Sequence, residues 1–489
     1  MEGTKKKREK MEDHDVAEKH DRLAELPENL LHHILSYFTM KDVIQTCVLA
    51  KRWKDTWKSV PCLTFSPLKK ARSKEVAFIN LSLLLHEGSI QKLNITLKYF
   101  HTESDHLDSW MRFVKPSQVN QLYLDFSRCD ARTPKYTLDD TIFRCTSLTV
   151  LTVKNCIIKF PVKIKISSLR TLSFEKDDLD TEAINNLLSS CSNLEDVSFT
   201  DCAWANNHDL VIMNSCVKAL KIQGNYFSEN STLGIIAPFV VSLETGGFFS
   251  KYYVIKRMES LRSASFVCSK PCLRRDTHFT ILENLAFLCH VKDLSMCSCY
   301  IQAISSEENA TQDGREKHAF DSISFDVTCL RIKAGFLKSE LPGIAYILSH
   351  SPNVQTLIIS IDLIFGIEAA YDFEANEYWE IQEPKFVNLL CNLKDVKIYN
   401  FMKNVDLIDA RPMIYFSPND VRPYLQNDMN FLKFLLNNCK AMESMTISTV
   451  KDVKLGRFSK CKKSRVLPEL KRELLAVSRA SQAVKISLN

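Results

Sequence analysis

Glycine is scarce in this chain, 11 among 489 residues, and none falls into G-x-G-x-x-G or a G-x-x-x-x-G-K-S/T loop, where backbone N–H groups would cradle phosphate. Other enzyme signatures are missing too. There is no G-x-S-x-G elbow, and His86-Glu87 is not followed by the second histidine of a helical zinc site. Long apolar runs are absent: the longest uncharged stretch, near Ser231 to Leu243, is too short to span a bilayer as a helix. The first residues are charged and hold no apolar core segment, so no secretory signal is expected. Neither charge sign dominates. With 64 Lys and Arg against 58 Asp and Glu, the net charge is +6, and the basic residues are dispersed among acidic ones. A nucleic-acid stripe is therefore not expected. These absences leave binding, with no catalytic residue and no cofactor, as the expected role.

What the chain does have begins at Asp21–Pro61. Leu26 and Pro27 open a helical pattern, Pro27 suiting a first turn because its missing N–H would be unpaired there anyway. Leu30, Leu31, Ile34, Leu35 and Phe38 recur at three- and four-residue steps. Thr39 is placed to cap a second short helix carrying Val43, Ile44, Cys47 and Val48. A third helix, from about Ala50 to Pro61, sets Trp53 and Trp57 one turn apart. Some forty residues are too few to enclose this much apolar surface, so part of it is expected to face a partner. The other reading is a small helical subdomain packed on the rest of its own chain.

The run Leu26-Pro27, Leu30, Ile34-Leu35-Ser36-Tyr37, Asp42, Val48 and Trp53 resembles an F-box. Val48-Leu49-Ala50-Lys51-Arg52-Trp53, followed by Trp57 and Val60-Pro61, looks like the plant version that accompanies leucine-rich repeats. Asn29 and Ala50 depart from the commoner acidic and Ser residues. The resemblance implies docking to a Skp-type adaptor, and through it to a cullin–RING ubiquitin ligase, with Leu26, Pro27, Leu30, Ile34, Leu35, Val48 and Trp53 as adaptor-binding residues.

From about Ile90 an apolar-x-x-apolar-x-apolar unit repeats, as in Leu148/Leu151/Val153, Leu169/Leu172/Phe174, Leu194/Val197/Phe199 and Val217/Leu220/Ile222. It continues to Leu393/Val396/Ile398, with Val240/Leu243 a degraded copy. Between Leu148 and Leu261 the copies start about 21 to 25 residues apart, within the span of a leucine-rich repeat. Each unit supplies a short strand and a returning segment, and stacking buries what one unit alone cannot. Thr181–Cys191 reads as such a returning helix. A curved solenoid is expected, holding a target protein. An ordinary α/β domain with accidental periodicity is the alternative.

After Cys391 the character changes. Cys391–Ile398, Phe431–Cys439, Met442–Ile447, Glu473-Leu474-Leu475 and Arg479-Ala480-Ser481 resemble the FBD domain of plant F-box proteins. Residues 402–430 look like an insertion, and Val477-Ser478 replace the usual Phe-Pro. One helix and about two strands, capping the solenoid end, are expected here.

Seventeen scattered cysteines, an odd number, fit a reducing compartment. The densest Cys/His region, Cys268, Cys272, His278, Cys289, His290, Cys297 and Cys299, has poor zinc spacing. Cys156, Cys202 and Cys299, with Asn225, instead fall five residues after the middle apolar position of their units, the Asn/Cys site of the repeat. Zinc is not expected. Two inserts, 305–318 and 371–384, read as rim loops, the second offering Tyr371, Phe373, Tyr378 and Trp379 either as binding anchors or as rings folded back on the array.

Together these readings predict an α/β chain: a charged tail at 1–20, a three-helix F-box at 21–66, a curved leucine-rich-repeat solenoid at 67–390 and an FBD-like cap at 391–489. The expected function is substrate recruitment for an SCF-type ligase. A non-degradative binder or a small-molecule sensor on the same scaffold is the rival. Lys5, Lys6, Lys7, Arg8 and Lys10 form a run of the nuclear-import kind, so a nuclear and/or cytoplasmic location is expected.

Overall fold

The computed structural model describes residues 26–67, 72–99, 104–113, 119–128, 132–162, 164, 166–205, 209–225, 232–246, 252–256, 258–267, 285–312, 323–362, 377–386, 388–401, 422–449 and 472–488. The charged tail, its basic run and the cluster Lys460, Lys462, Lys463 and Arg465 lie outside these residues. The chain divides into two compact units, Met1–Leu97 and Lys98–Asn489.

In the first unit, α1 (Glu28–Leu35) starts behind Pro27, whose carbonyl accepts the Leu31 N–H at 3.0 Å. Helix α2 (Met40–Gln45) is capped by Thr39, whose hydroxyl accepts the Asp42 N–H at 3.4 Å and donates to the Asp42 carboxylate at 2.6 Å. The expected third α-helix does not form. Two 3-10 turns, Lys51–Lys54 and Thr56–Lys58, stand in its place. Asp55, at φ −113° and ψ −4°, lies between them in the bridge region, so an i→i−4 ladder cannot run through it. The bonds close over three residues, Trp53 N–H to Ala50 and Lys58 N–H to Asp55.

The same unit continues beyond residue 66. Strand β1 (Cys62–Phe65) pairs in parallel with β2 (Lys92–Tyr99), Leu63 opposite Leu93 and Phe65 opposite Ile95. Between them runs α3 (Arg72–Leu84). Its end is tied back by the His86 ring, 2.9 Å from the Val60 carbonyl, and by the Glu87 N–H, which donates to Lys58 at 2.9 Å.

The second unit is a long parallel sheet of repeats. It includes β3 (Gln121–Arg128), β5 (Val150–Lys154), β7 (Thr171–Glu175) and β9 (Asp196–Thr200), after which the strands proceed in sequence order to Lys485–Leu488. The register holds along the middle row, with one shift between Ile398 and Phe401. Leu122, Leu151, Leu172, Val197, Leu220, Leu243, Ala264, Leu294, Leu330, Leu357, Val396, Met445 and Ile486 occupy one row across the sheet. These are the middle apolar positions of the repeat, and all but Ile486 are buried. Each strand alternates inward apolar with outward residues, so a slip of one residue would turn every buried side chain outward. In the degraded copy Thr245 takes the third apolar place, buried beside Leu243.

A second, shorter sheet has the order β10-β8-β6-β4: Ala203–Trp204, Asp178–Leu179, Cys156–Ile158 and Tyr136–Leu138. The chain leaves the long sheet on one left-handed residue per repeat: Asn155 (φ 67°), Lys176 (φ 57°), Asp201 (φ 53°) and Gly224 (φ 66°). At Gly224 an added Cβ would lie 2.0 Å from the Asp201 carboxylate, so space as well as φ favours glycine there. The returning helix α5 (Thr181–Ser190) is capped by Asp180, which accepts the Ala183 N–H at 2.8 Å.

The later chain departs from expectation in two places and decides between two readings in a third. The polar stretch from Ser305 begins as helix, the end of Ser298–Gln312, with Ser305 buried and accepting the Gly343 N–H at 2.7 Å; residues 313–318 lie outside the described chain. Tyr378 and Trp379 are buried, and the Trp379 ring packs 4.7 Å from Phe431 and 4.8 Å from Phe434. They are core of this unit, not exposed anchors; Tyr371 and Phe373 lie outside the described residues. Residues 422–430, assigned to an insertion, form the first half of helix Arg422–Asn438. The carboxy-terminal strands Asp395–Phe401, Ser444–Thr449 and Lys485–Leu488 extend the sheet in parallel register.

Candidate functional site

The amino-terminal helices sort their apolar residues into two sets. Leu31, Leu35, Val43, Trp53 and Val60 form one core cluster, with Ala50 and Trp57 packed against it. Leu30, Ile34, Tyr37, Phe38, Val48 and Leu49 are exposed. On α1, residues 31 and 35 share one row and residues 30 and 34 the next, about 100° round the helix. The apolar stripe is therefore wider than its core contact, and its outer half is left to solvent.

Of the residues assigned to adaptor binding, Pro27, Leu30, Ile34 and Val48 are exposed, Val48 at 87 %. Leu26 is half-buried. Leu35 and Trp53 are 1 % and 5 % exposed and lie within the core cluster. Their side chains support the surface from beneath. Tyr37, Phe38 and Leu49 add apolar area that the site assignment did not include; their signal was a second apolar row beside the first.

The frame under this surface is polar and local. His32 Nε2 lies 3.1 Å from the Ser59 hydroxyl, joining α1 to the end of the 3-10 segment. The Thr46 hydroxyl donates to the Val43 carbonyl at 2.6 Å, and the Cys47 thiol to the Lys54 carbonyl at 3.3 Å. Each bond satisfies a group at the end of a short element, where intrahelical partners run out.

The repeats carry a second ordered set. Cys156, Asp177, Cys202 and Asn225 hold the same position in successive units, and all are buried. The Cys156 N–H donates to Asp177 Oδ1 at 2.6 Å, and the Cys202 N–H to Asn225 Oδ1 at 3.1 Å. Asp177 also accepts the Glu175 N–H at 3.0 Å, while Asn225 Nδ2 donates to the Phe199 carbonyl at 2.8 Å. Burial pushes the Asp177 carboxyl well up from its ordinary range and does the same to the thiols of Cys156 and Cys202. Neutral, buried thiols are poor nucleophiles and poor metal ligands, and these serve the turns. The fifth-residue spacing that picked out the cysteines also reaches Asp177, which sequence reading passed over because its side chain is an acid.

Of the Cys/His-rich region, Cys268, Cys272 and His278 lie outside the described residues. Cys289 is exposed, Cys297 and Cys299 are buried, and His290 Nε2 is 2.9 Å from the Met258 carbonyl. Cys299 lies in the first turn of helix Ser298–Gln312. Among the described residues no group of three or more His, Cys, Asp or Glu is placed to hold a metal.

The outward face of the repeats is ion-paired within itself. Lys154–Glu175 (2.7 Å), Lys221–Glu244 (3.0 Å) and Lys333–Asp362 (2.9 Å) cross between strands. Glu195 takes both Arg170 (2.9 Å) and Lys218 (2.8 Å), which hold its carboxyl below the usual range. No helix among the described residues is long and apolar enough to cross a membrane.

Both regions match known protein families. Residues 23–65 match the F-box domain family, and residues 107–232 match the family described as FBD-associated F-box protein At5g56370, LRR repeats. Putative F-box/LRR-repeat protein At3g18150 of Arabidopsis thaliana is 23% identical over 444 residues, covering 85% of this chain and 92% of its own. F-box/FBD/LRR-repeat protein At1g13570 of the same plant is 23% identical over 394 residues, covering 71% and 93%. FBD-associated F-box protein At5g56370, also of that plant, is 36% identical over a shorter 182 residues, covering 36% and 42%.

Proposed function

We propose that this chain, which has the amino-terminal F-box and the repeat region of the plant F-box/FBD/LRR-repeat family, is a substrate-recruiting subunit of an SCF-type cullin–RING ubiquitin ligase. An F-box implies, in general, binding to a Skp-type adaptor. The observation that carries the reading is the exposed apolar row Leu30, Ile34 and Val48 on a domain whose own core is already filled by Leu31, Leu35, Val43, Trp53 and Val60. Burying that row against an adaptor removes apolar area from water at about 25 cal/mol per Å². The repeats hold a target protein, and the chain acts by proximity, raising the target's effective concentration near the ubiquitin carrier. Nothing in that role requires a catalytic group in this chain. A nuclear and/or cytoplasmic location belongs to the same reading.

The test is co-expression with a Skp-type adaptor, comparing the full chain with Leu30→Asp/Val48→Asp. Both positions are exposed, so the variant should keep its fold by circular dichroism and lose the adaptor in pull-down. Undiminished capture by the folded variant would overturn the proposal.

A further inference from the structure

A cleft of about 820 Å³ opens in the second unit. One wall is α4 (Ser104–Met111) and the turn after it; the other is the 3-10 turn Asp140–Arg144 with Asp139 ahead of it. Strand β4 and the residues around β6 form its floor.

Four cations line it: Arg112, Lys135, Arg144 and Lys159, against the two carboxylates of Asp108 and Asp139. These groups differ in how they are committed. Lys135 is held at 2.5 Å by both the Lys176 carbonyl and the Asp178 carboxylate, and Arg144 pairs with Asp140 at 2.9 Å. Asp108 accepts the Tyr136 hydroxyl at 2.5 Å, and Asp139 accepts the Asp140 N–H at 2.8 Å as the cap of its turn. Arg112 and Lys159 are exposed and have no carboxylate partner among the described residues.

Lys154, Arg170, Lys218, Lys221 and Lys333 pair with acids of neighbouring repeats, whereas Arg112 and Lys159 add positive charge to a cleft whose two lining carboxylates are already engaged. Arg112 follows α4 and Lys159 follows β6, so the two cations come from separate segments of the lining. Met111, Pro134 and Ile157 add apolar lining. The volume is several times that of one carboxylate.

We propose that this cleft takes an acidic peptide segment of the target protein, with carboxylates facing Arg112 and Lys159 and an apolar side chain between them. The inference rests on the target-recruiting role of the repeats and names the chemistry of what they recruit. Such contacts are partly exposed and therefore salt-sensitive.

The test uses the full chain co-purified with a Skp-type adaptor. The probe is a fluorescein-labelled peptide rich in glutamate with two leucines, compared with its glutamine counterpart by fluorescence anisotropy. The acidic peptide should bind about tenfold more tightly at low salt. Arg112→Glu/Lys159→Glu should abolish the preference, and Arg170→Glu/Lys218→Glu should leave it unchanged. Should the first variant melt early, Arg112→Gln/Lys159→Gln replaces it, with the same expected loss. Equal binding of the two peptides, a preference that survives in the variants, or displacement by sodium phosphate at matched ionic strength would each overturn the proposal. Adaptor co-purification is read separately: its failure counts against the ligase role, and loss of peptide preference alone counts against this cleft.

Discussion

The backbone N–H of Cys156 donates to the carboxylate of Asp177, 2.6 Å away and one repeat further along the chain. The bond joins neighbouring units through the interior, where an unsatisfied N–H would cost about 1–3 kcal/mol. Asp177 thus does for one pair of repeats what Asn225 does for another through Cys202.

That equivalence gives the first prediction. Asp177→Asn should fold and keep the Cys156 bond through its amide oxygen, as Asn225 does for Cys202, but its Nδ2 cannot accept the Glu175 N–H, so it should lose about 1–2 kcal/mol. Asp177→Ala should lose roughly 2–4 kcal/mol by leaving the Cys156 and Glu175 N–H groups without an acceptor. Urea unfolding of the two variants checks both; equal stabilities would mean that the bonds carry nothing.

The F-box residues should separate into two phenotypes. Leu30→Ala and Val48→Ala change exposed side chains and should cost under about 0.5 kcal/mol in stability, while weakening adaptor binding by tenfold or more. Leu35→Ala and Trp53→Ala empty the core cluster and should cost about 2–5 kcal/mol, with adaptor binding falling only as the domain unfolds. Melting temperatures and adaptor affinities measured side by side distinguish the sets.

Glu340 is fully buried, accepts the N–H groups of Gly335 and Leu337 at 2.9 Å each and the Ser298 hydroxyl, and burial pushes its carboxyl up to about 7. Asp428, buried nearby, is pushed up by its own burial and by Glu340. A carboxyl raised in the folded state binds its proton more tightly there than in the unfolded chain. Its contribution is fully present below pH 4.5 and declines as pH rises through about 7, by roughly 3 kcal/mol. Melting temperature should therefore fall between pH 5 and 8. Glu340→Gln, whose Oε1 can accept both backbone N–H groups while its Nε2 donates to the Ser298 hydroxyl, should flatten much of that slope, and an unchanged slope in the variant would refute the assignment.

Removing residues 391–489 deletes the strands Asp395–Phe401, Ser444–Thr449 and Lys485–Leu488 together with helix Arg422–Asn438. It bares the edge of Thr356–Ile361 and uncovers Trp379 from Phe431 and Phe434. The truncated chain should melt lower, aggregate more readily and show red-shifted tryptophan fluorescence. Adaptor binding by residues 26–67 should persist. A truncation that melts with the full chain would mean that these strands add nothing to the array.

The repeat rows were legible because one strand position determines the next: apolar residues two apart must share a face, and equal spacing along the chain becomes a straight row across the sheet. Leu151, Leu172 and Val197 could be placed without coordinates for that reason. The inserts were not legible in the same way. Tyr378 and Trp379 sit in an acidic stretch with no repeat spacing, and what buries them, Phe431 and Phe434, lies about fifty residues further on. Local composition carries no information about such a contact.

Sequence alone determined the order of the chain, short helical segments with an apolar excess followed by stacked strands, because those patterns rest on periodicities of 3.6 and 2 and on recurring spacing. Only the tertiary structure decided which apolar residues are surface and which are core. Leu30, Leu31, Ile34 and Leu35 are alike as letters. The packing of Val43, Trp53 and Val60 against one row of α1 makes Leu31 and Leu35 interior and leaves Leu30 and Ile34 outside. It also replaced the third helix with two 3-10 turns at Asp55 and brought Arg112 and Lys159 into the lining of one cleft. Those outcomes depend on which distant segments meet, and the free energy that selects them is that of the assembled core.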